Sequence, residues 1–259
     1  MRNHFLRASG IPTTDTGIVT TNLISHIDVG NSSSYSGSGS SLTDLTGNNN
    51  HATIGNTSDV SYSSDDGGHI ILDPDGNNKP NVYRDTDNFV NIGTNDFTIE
   101  YWFNAYITRN NTWVFRNLSS SSSQLNMGIY IYQEKLRISP FFTGTSTTQP
   151  GSWTNLESSA HYTEDDYTGW EHTVFSRIGD GDNNFKIYRN NSLLATVTNK
   201  FEYDIAQGGN ADRRRTLIGG DNNSGFRGKF AIYRLYDGTG LTSSQVTQNW
   251  NAEKARFGH

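Results

Sequence analysis

Three aromatic residues lie among small polar residues between positions 143 and 169, and this combination could bind a sugar. They are Trp153, Tyr162 and Tyr167. A pyranose ring has apolar faces and a polar rim, so a sugar site needs an exposed aromatic surface beside hydrogen-bonding side chains. We predict that these three side chains form a carbohydrate-binding surface. The alternative is that they pack this loop region onto the rest of the fold.

Two acidic turns present oxygen atoms at alternate positions, as calcium-binding loops do. Their oxygen-bearing residues are Asp180, Asp182 and Asn184 in one turn, and Asp73, Asp75 and Asn77 in the other. Neither turn has the bidentate glutamate that closes an EF-hand loop at its twelfth position. Asn191 and Arg84 occupy those positions. We therefore interpret both stretches as turns, and we assign no calcium ligands.

Other catalytic patterns are missing from the sequence. The chain has no cysteine, which excludes thiol catalysis and disulfide bonds. It also has no G-x-S-x-G nucleophile elbow and no H-x-x-x-H pair. The acidic run Glu164–Asp166 lacks the spacing of a catalytic carboxylate pair. These absences favour a binding or structural role.

The composition indicates one large all-β domain with a polar surface. The chain has 259 residues, of which 32% are hydrophobic, below the ~45–50% usual in globular domains. Thirteen Phe, thirteen Tyr and five Trp compensate for this deficit, because each aromatic side chain buries roughly 150–250 Å². We therefore expect a globular fold with long polar loops rather than a disordered chain.

Charge and hydropathy indicate which partners to expect. A formal net charge of −6 disfavours nucleic acid, whose phosphates require Lys and Arg. We interpret the one basic run, Arg213–Arg215, as a solvated loop or a subunit contact, with an anion or acidic-glycan site as the alternative. No stretch approaches the ~18 apolar residues of a membrane span, so we expect no membrane insertion. The N-terminal stretch lacks the apolar segment of a secretory signal.

Alternating apolar residues predict antiparallel strands, because successive side chains of a strand point to opposite faces. One face of the stretch FTIEYWFNAY consists of Phe97, Ile99, Tyr101 and Phe103. In GWEHTVFSR, Trp170, His172 and Val174 share one face, and Phe175 lies on the other. Turn signals every ~8–12 residues indicate a two-sheet sandwich rather than alternating strands and helices. We expect Trp102, Trp170 and Trp250 in the core or between the sheets.

Two local signals predict a hairpin and a helix. Asn190–Asn191 tolerates the positive φ angles that a tight hairpin turn requires. Thr242 as N-cap and Gln245 at N3 form a capping box. Leu241 and Val246 occupy the hydrophobic-staple positions around the same cap. The sequence therefore predicts one helix near its end.

Residues 1–17 form an N-terminal arm in our interpretation, and residues 18–259 form the folded domain. The arm contains Phe5, Leu6 and Ile11 without a period that would place them in a sheet. Burying them on a neighbour roughly offsets the entropy of ordering the backbone. We therefore predict that the arm is an assembly element that becomes ordered only in a homo-oligomer or on a larger particle.

Several stretches resemble, in the same order, the laminin-G-like and concanavalin A-like lectin domains. They are FTIEYWFNA, then GWEHTVFSRI and FKIYRNNSLLATV, and finally LIGGDNNSGFRGKFAIYRLYDG. Relatives usually have Asn-Gly at the hairpin where this chain has Asn190–Asn191. The resemblance covers roughly Ile18 to Gly258 and implies an all-β, two-sheet antiparallel jelly-roll sandwich with a short C-terminal helix. Such domains often bind one Ca²⁺ at a sandwich rim, so a calcium cofactor is compatible with the resemblance.

Two further stretches resemble a subgroup with many members in marine bacteriophages. They are HIDVGNSSSYSGSGSSLTDLTGNNNHATIGN, residues 26–56, and NWNAEKARFG, residues 249–258. The resemblance implies a virion structural protein, as a capsid decoration, fibre or tail adhesin subunit. Its partners would be other virion proteins and a host-surface glycan. A stand-alone secreted or cell-surface lectin and a glycoside hydrolase of the same fold remain the alternatives.

The resemblance also implies where a catalytic pair would lie. Glycosidases of this fold place two carboxylates on one strand face in an E-x-D-x-x-E pattern. The nearest match is EYDIAQ, Glu202–Gln207. Gln207 stands where the second glutamate should be, and an amide cannot protonate a leaving group. We therefore expect that the chain is not an enzyme.

Overall fold

The computed structural model describes residues 17–73, 80–84, 95–106, 112–117, 126–132, 135–141, 156–157, 168–196, 215–219 and 226–259. Within these ranges the strands are β1 (Leu23–Asp28), β2 (Ser41–Leu42), β3 (Ala52–Gly55), β4 (Val60–Ser63), β5 (His69–Leu72), β6 (Asn81–Arg84), β7 (Phe97–Ala105), β8 (Thr112–Asn117), β9 (Asn126–Tyr132), β10 (Lys135–Phe141), β11 (Leu156–Glu157), β12 (Glu171–Arg177), β13 (Phe185–Arg189), β14 (Ser192–Thr196), β15 (Arg215–Ile218) and β16 (Gly228–Asp237). The helices are α1 (Ser243–Glu253) and three 3-10 turns, Thr57–Asp59, Asp65–Gly67 and Lys254–Phe257. No helix in the described part of the chain has the length and hydrophobicity to cross a membrane.

The strands pair into two antiparallel sheets. Sheet A has the order β14-β13-β12-β7-β16-β5-β4, and β1 pairs with β16 over Leu23–Asp28. Sheet B has the order β11-β10-β9-β8-β15-β6-β3-β2. The longest strand, β16, pairs with β7 from Gly228 to Asp237, so it lies beside residues that come much earlier in the chain, Phe97–Ala105. This arrangement confirms the predicted all-β sandwich.

One hydrophobic core lies between the sheets. The predicted inward face of β7, Phe97, Ile99, Tyr101 and Phe103, is fully buried in it. Sheet B contributes Leu42, Ile54, Val82, Ile129 and Ile218 to the same cluster. The period-2 pattern of β7 therefore predicted its core face correctly.

The opposite face of sheet A is also buried, because α1 and the turn after it lie on that face. Trp102 of β7 stacks on Trp250 of α1 with ring centroids 5.3 Å apart, and on Phe257 at 4.2 Å. A neighbouring apolar cluster joins Val174 of β12 to Val246 of α1. The C-terminal helix is thus a third layer on the sandwich.

The two predicted local motifs are both present. Asn190 and Asn191 have φ angles of 46° and 63°, which a tight hairpin turn requires. Thr242 caps α1 in a complete capping box with Gln245. The Asn191 side chain accepts a hydrogen bond from Thr247 Oγ1 at 2.7 Å, which ties the hairpin to the helix.

Of the two expected locations for the tryptophans, the core and the space between the sheets, the structure shows the core. Trp102 and Trp250 are buried, but they lie between sheet A and α1 rather than between the two sheets. Trp170 is only half-buried. Its indole nitrogen donates to Asp66 Oδ2 at 2.9 Å, and its ring lies 4.8 Å from that of Phe257. Trp170 therefore packs against the core cluster of Trp102 and Trp250 and does not lie between the two sheets.

Candidate functional site

Most residues predicted to form sites lie outside the described residues. These are the aromatic residues Trp153, Tyr162 and Tyr167, the arm residues Phe5, Leu6 and Ile11, and the carboxylate stretch Glu202–Gln207. The sugar surface and the assembly arm therefore stay predictions.

The calcium-like turn that contains Asp180, Asp182 and Asn184 is fixed by hydrogen bonds. Asn184 donates from its side-chain nitrogen to the Gly179 carbonyl oxygen at 2.9 Å, and Asp180 and Asp182 are exposed. The Gly179 amide donates to Asp96 Oδ1 at 2.6 Å. Within the described ranges no group of three or more His, Asp or Glu side chains could hold a metal ion.

One described cluster has the residue types of a catalytic site. Glu100 of β7 lies opposite Arg234 of β16 in the strand register, and His172 of the adjacent β12 is close by. Glu100 Oε1 accepts from His172 Nε2 at 2.7 Å and from Arg234 Nη1 at 2.9 Å. Asn249 of α1 donates to Glu100 Oε2 at 2.7 Å, and Glu253 forms an ion pair with Arg234.

The ionised groups of this network stabilise one another. Burial alone would raise the pKa of Glu100, but the guanidinium of Arg234 and hydrogen bonds from His172 and Asn249 lower it to about 2. Burial opposes the charge of Arg234, and its attraction to Glu253 and Glu100 outweighs that effect, so its pKa is raised. Both groups therefore stay ionised at neutral pH.

This network is inaccessible to a substrate. Glu100, His172, Arg234 and Asn249 are all 0% exposed, because α1 covers them. The network fastens the helix to sheet A. Sequence analysis missed it, although a charge at an alternate position inside an apolar strand, as in FTIEYWF and FAIYRLY, is a signal for a buried ion pair.

An accessible cleft lies elsewhere, at the β4 edge of sheet A. Its volume is about 350 Å³, within the roughly 300–1,000 Å³ of small-molecule sites. Among the described residues it is lined by Tyr35, Gly37, Ser38, Gly39, Ser40, Thr57, Val60 and Tyr62. We call it the Tyr62 cleft. One wall is the loop 35–40, and the other is β4 with the turn before it.

Two tyrosines form the aromatic part of the Tyr62 cleft. Tyr62 is 39% exposed, and its ring meets that of the buried Tyr35 edge-on with centroids 5.7 Å apart. Gly37 approaches the Tyr62 ring so closely that an added Cβ would lie 3.3 Å from Tyr62 Cε1. With its φ of 87°, this position suits glycine. Burial and the neighbouring Tyr62 raise the pKa of Tyr35, so its hydroxyl stays neutral.

The loop wall is fixed by hydrogen bonds. The Tyr35 hydroxyl donates to the Gly39 carbonyl at 3.0 Å, and the Ile54 amide donates to the Ser40 carbonyl at 2.7 Å. In the described part of the molecule the exposed hydroxyls of Ser38, Ser40 and Thr57 have no hydrogen-bond partner. A rigid wall with free hydroxyls beside an exposed ring can hold a flat ligand that has one apolar face and a polar rim.

Comparisons with known proteins show the fold. No family model matches the chain, and a search of curated proteins finds no match. Among solved structures, domain 4 of AbnA, a GH43 extracellular arabinanase from Geobacillus stearothermophilus in complex with arabinotriose, matches with a TM-score of 0.58 and 20% identity. The match covers 88% of this chain and 98% of that one.

Two other groups of solved structures match over longer proteins. The Trypanosoma rangeli sialidase in complex with sialic acid gives a TM-score of 0.60 at 12% identity, over 93% of this chain and 35% of that one. The binding domain of botulinum neurotoxin DC in complex with SialylT gives 0.63 at 12% identity, over 89% and 51%. All of these structures contain lectin-like β-sandwiches. At these identities the likeness establishes the fold alone.

Proposed function

We propose that this chain is a non-catalytic carbohydrate-recognition domain that binds sugar in the Tyr62 cleft. The observation that carries the proposal is the exposed ring of Tyr62 beside the free hydroxyls of Ser38, Ser40 and Thr57. Within the described ranges, Tyr62 and Leu193 are the large hydrophobic side chains that are exposed, and Tyr62 lines a cleft. The sugars named with the structurally similar proteins support the choice of ligand class.

The engagement of the buried carboxylates supports a non-catalytic role. Glu100 is enclosed by donors from β12, β16 and α1. Glu171 is also fully buried, and Arg189 Nε donates to it at 2.7 Å. Most glycosidases use two carboxyl groups that face the same sugar, and these two face protein groups instead.

Affinity electrophoresis in gels containing agar or laminarin tests the sugar site. Wild-type protein should be retarded, and Tyr62→Ala should lower the affinity about tenfold or more, because truncating an aromatic anchor commonly costs over ~1 kcal/mol. Leu193→Ala is the matched control, since Leu193 is 54% exposed on β14, at the other edge of sheet A. Equal retardation of wild type and Tyr62→Ala would exclude this cleft. Release of reducing ends from either polysaccharide would contradict the non-catalytic role.

We further propose that the domain is displayed on a bacteriophage particle. The two stretches that resemble the phage subgroup, residues 26–56 and 249–258, meet in the structure: Arg256 Nη1 donates to Asp28 Oδ1 at 2.8 Å. The first stretch also supplies the loop wall of the Tyr62 cleft. The partners would be other virion proteins, further copies of this chain and a host-surface glycan.

Mass spectrometry of purified particles tests the virion role directly, and absence of the protein from particles would favour a stand-alone lectin. Deleting residues 1–17 should leave the melting temperature of the domain almost unchanged and prevent incorporation into particles. Normal incorporation of the shortened protein would show that the arm is not an assembly element.

A further inference from the structure

We infer that the Tyr62 cleft selects neutral sugar units and rejects sugars that carry a carboxylate or sulfate. This inference rests on the proposed function, because it specifies the ligand class of the same site. It is argued from the charges of the groups in and around the cleft. A carbohydrate site could select neutral or charged sugars, so the proposed function alone does not imply this selectivity.

The described lining of the cleft is uncharged. It consists of two tyrosine rings, the Thr57 hydroxyl, the Val60 side chain and the loop-wall residues Gly37, Ser38, Gly39 and Ser40. These groups can stack on a sugar ring and exchange hydrogen bonds with its hydroxyls. None is a guanidinium or ammonium group, which proteins use to bind carboxylates and sulfates strongly.

An acidic residue adjoins the lining residues in the chain. Asp59 is between Thr57 and Val60 in the chain, both of which line the cleft. It is half-buried, and its Oδ2 atom is buried without a hydrogen-bond partner in the described structure. No described Lys, Arg or His forms an ion pair with it. An anionic sugar in the cleft would therefore lie near a like charge that no described cation offsets.

The guanidinium of Arg256 lies near Tyr62 but is bonded to other groups. Gly68 lies against the Tyr62 hydroxyl, since an added Cβ on Gly68 would be 3.1 Å from that oxygen. Arg256 reaches Gly68, where its Nη2 donates to the carbonyl oxygen at 2.8 Å. Its Nε donates to the Asp66 carbonyl at 3.0 Å, and its Nη1 is paired with Asp28. Arg256 therefore serves the fold rather than an anionic ligand.

A panel of immobilised oligosaccharides tests the inference. Neutral members are compared with sulfated or sialylated counterparts of the same backbone, for example desulfated carrageenan fragments with the sulfated fragments and lactose with 3′-sialyllactose. Every bound member is then titrated calorimetrically against wild type, Tyr62→Ala, Tyr62→Phe and Asp59→Asn. Tyr62→Phe keeps the ring and should retain binding. Thermal melting of each variant verifies that it is folded.

We expect Tyr62-dependent binding of neutral members, with each anionic counterpart at least about tenfold weaker, as a like-charge contact predicts. Asp59→Asn should reduce the difference in affinity between the neutral and the anionic members. Tyr62-dependent binding of an anionic member as tight as its neutral counterpart would overturn the inference and leave the proposed function intact. A panel without any Tyr62-dependent binding would instead refute the proposed function.

Discussion

Replacing Glu100 by Gln tests whether the network between sheet A and α1 is held together by charge. Glu100 is 0% exposed, and four side chains, His172, Arg234, Tyr236 and Asn249, direct donors at it. Burial acts to raise the pKa of Glu100, but Arg234 and the hydrogen bonds lower it from its usual 4.5 to about 2. Each pH unit between the unfolded and folded pKa is worth ~1.4 kcal/mol. Ionised Glu100 therefore contributes about 3 kcal/mol to stability at neutral pH.

The sign of the pH dependence follows from the lowered pKa. The contribution is fully present above the unfolded pKa of 4.5 and is lost as the pH falls towards about 2, where the folded carboxylate becomes protonated. At pH 7, Glu100→Gln should lower the free energy of unfolding by ~3–5 kcal/mol, because it leaves Arg234 buried with an incomplete set of partners. The difference between wild type and variant should shrink steadily below about pH 4.

Urea denaturation followed by tryptophan fluorescence at pH 7, 4 and 3 measures this difference, since Trp102 and Trp250 lie in the same layer as the network. Asp182→Asn is the control, because Asp182 is exposed and its replacement should change stability by less than ~0.5 kcal/mol. A Glu100→Gln cost below ~1 kcal/mol at pH 7, or one that is the same at pH 7 and pH 3, would refute the charged network.

Three further substitutions test the packing and the local motifs. In urea denaturation, Trp102→Ala should lower the free energy of unfolding by ~3–5 kcal/mol, because the ring is fully buried. Trp170→Ala should lower it clearly less, because that ring is half-buried. Equal losses would contradict the assigned layers. Thr242→Ala removes the cap of α1 and should lower stability by ~1 kcal/mol, with no change expected if the helix end is held by packing alone. Asn191→Ala should lower the melting temperature more than Asn191→Gly, because the residue has a φ of 63° and both variants lose the same hydrogen bond to Thr247. The reverse order would contradict the left-handed conformation of this residue.

The sequence by itself determined the features that depend on neighbouring residues. The alternation in β7 predicted the inward face because the period of a strand is a local property. The Asn190–Asn191 turn and the cap at Thr242 were predictable for the same reason, since each motif is complete within four residues. The resemblance of the longer stretches predicted the sandwich itself, which the two-sheet topology confirms.

Only the tertiary structure decided which surface each residue faces and which distant residues meet. Alternation places Trp102 and Phe103 on opposite faces of β7. It cannot distinguish the face between the sheets from the face covered by α1, because both faces are buried. Glu100, His172 and Arg234 come together because β7 pairs with both β12 and β16. In the chain, His172 is 72 residues and Arg234 is 134 residues from Glu100.

The Tyr62 cleft has the same origin. Its loop wall belongs to a stretch rich in Ser, Gly and Asn, and Tyr62 lies in a short strand some 25 residues further on. The sheet edge brings the two together, and the hydrogen bonds of Tyr35 and Ile54 hold the loop rigid. A cleft between a loop and a sheet edge has no local sequence signal, because the fold determines which residues lie on its two walls.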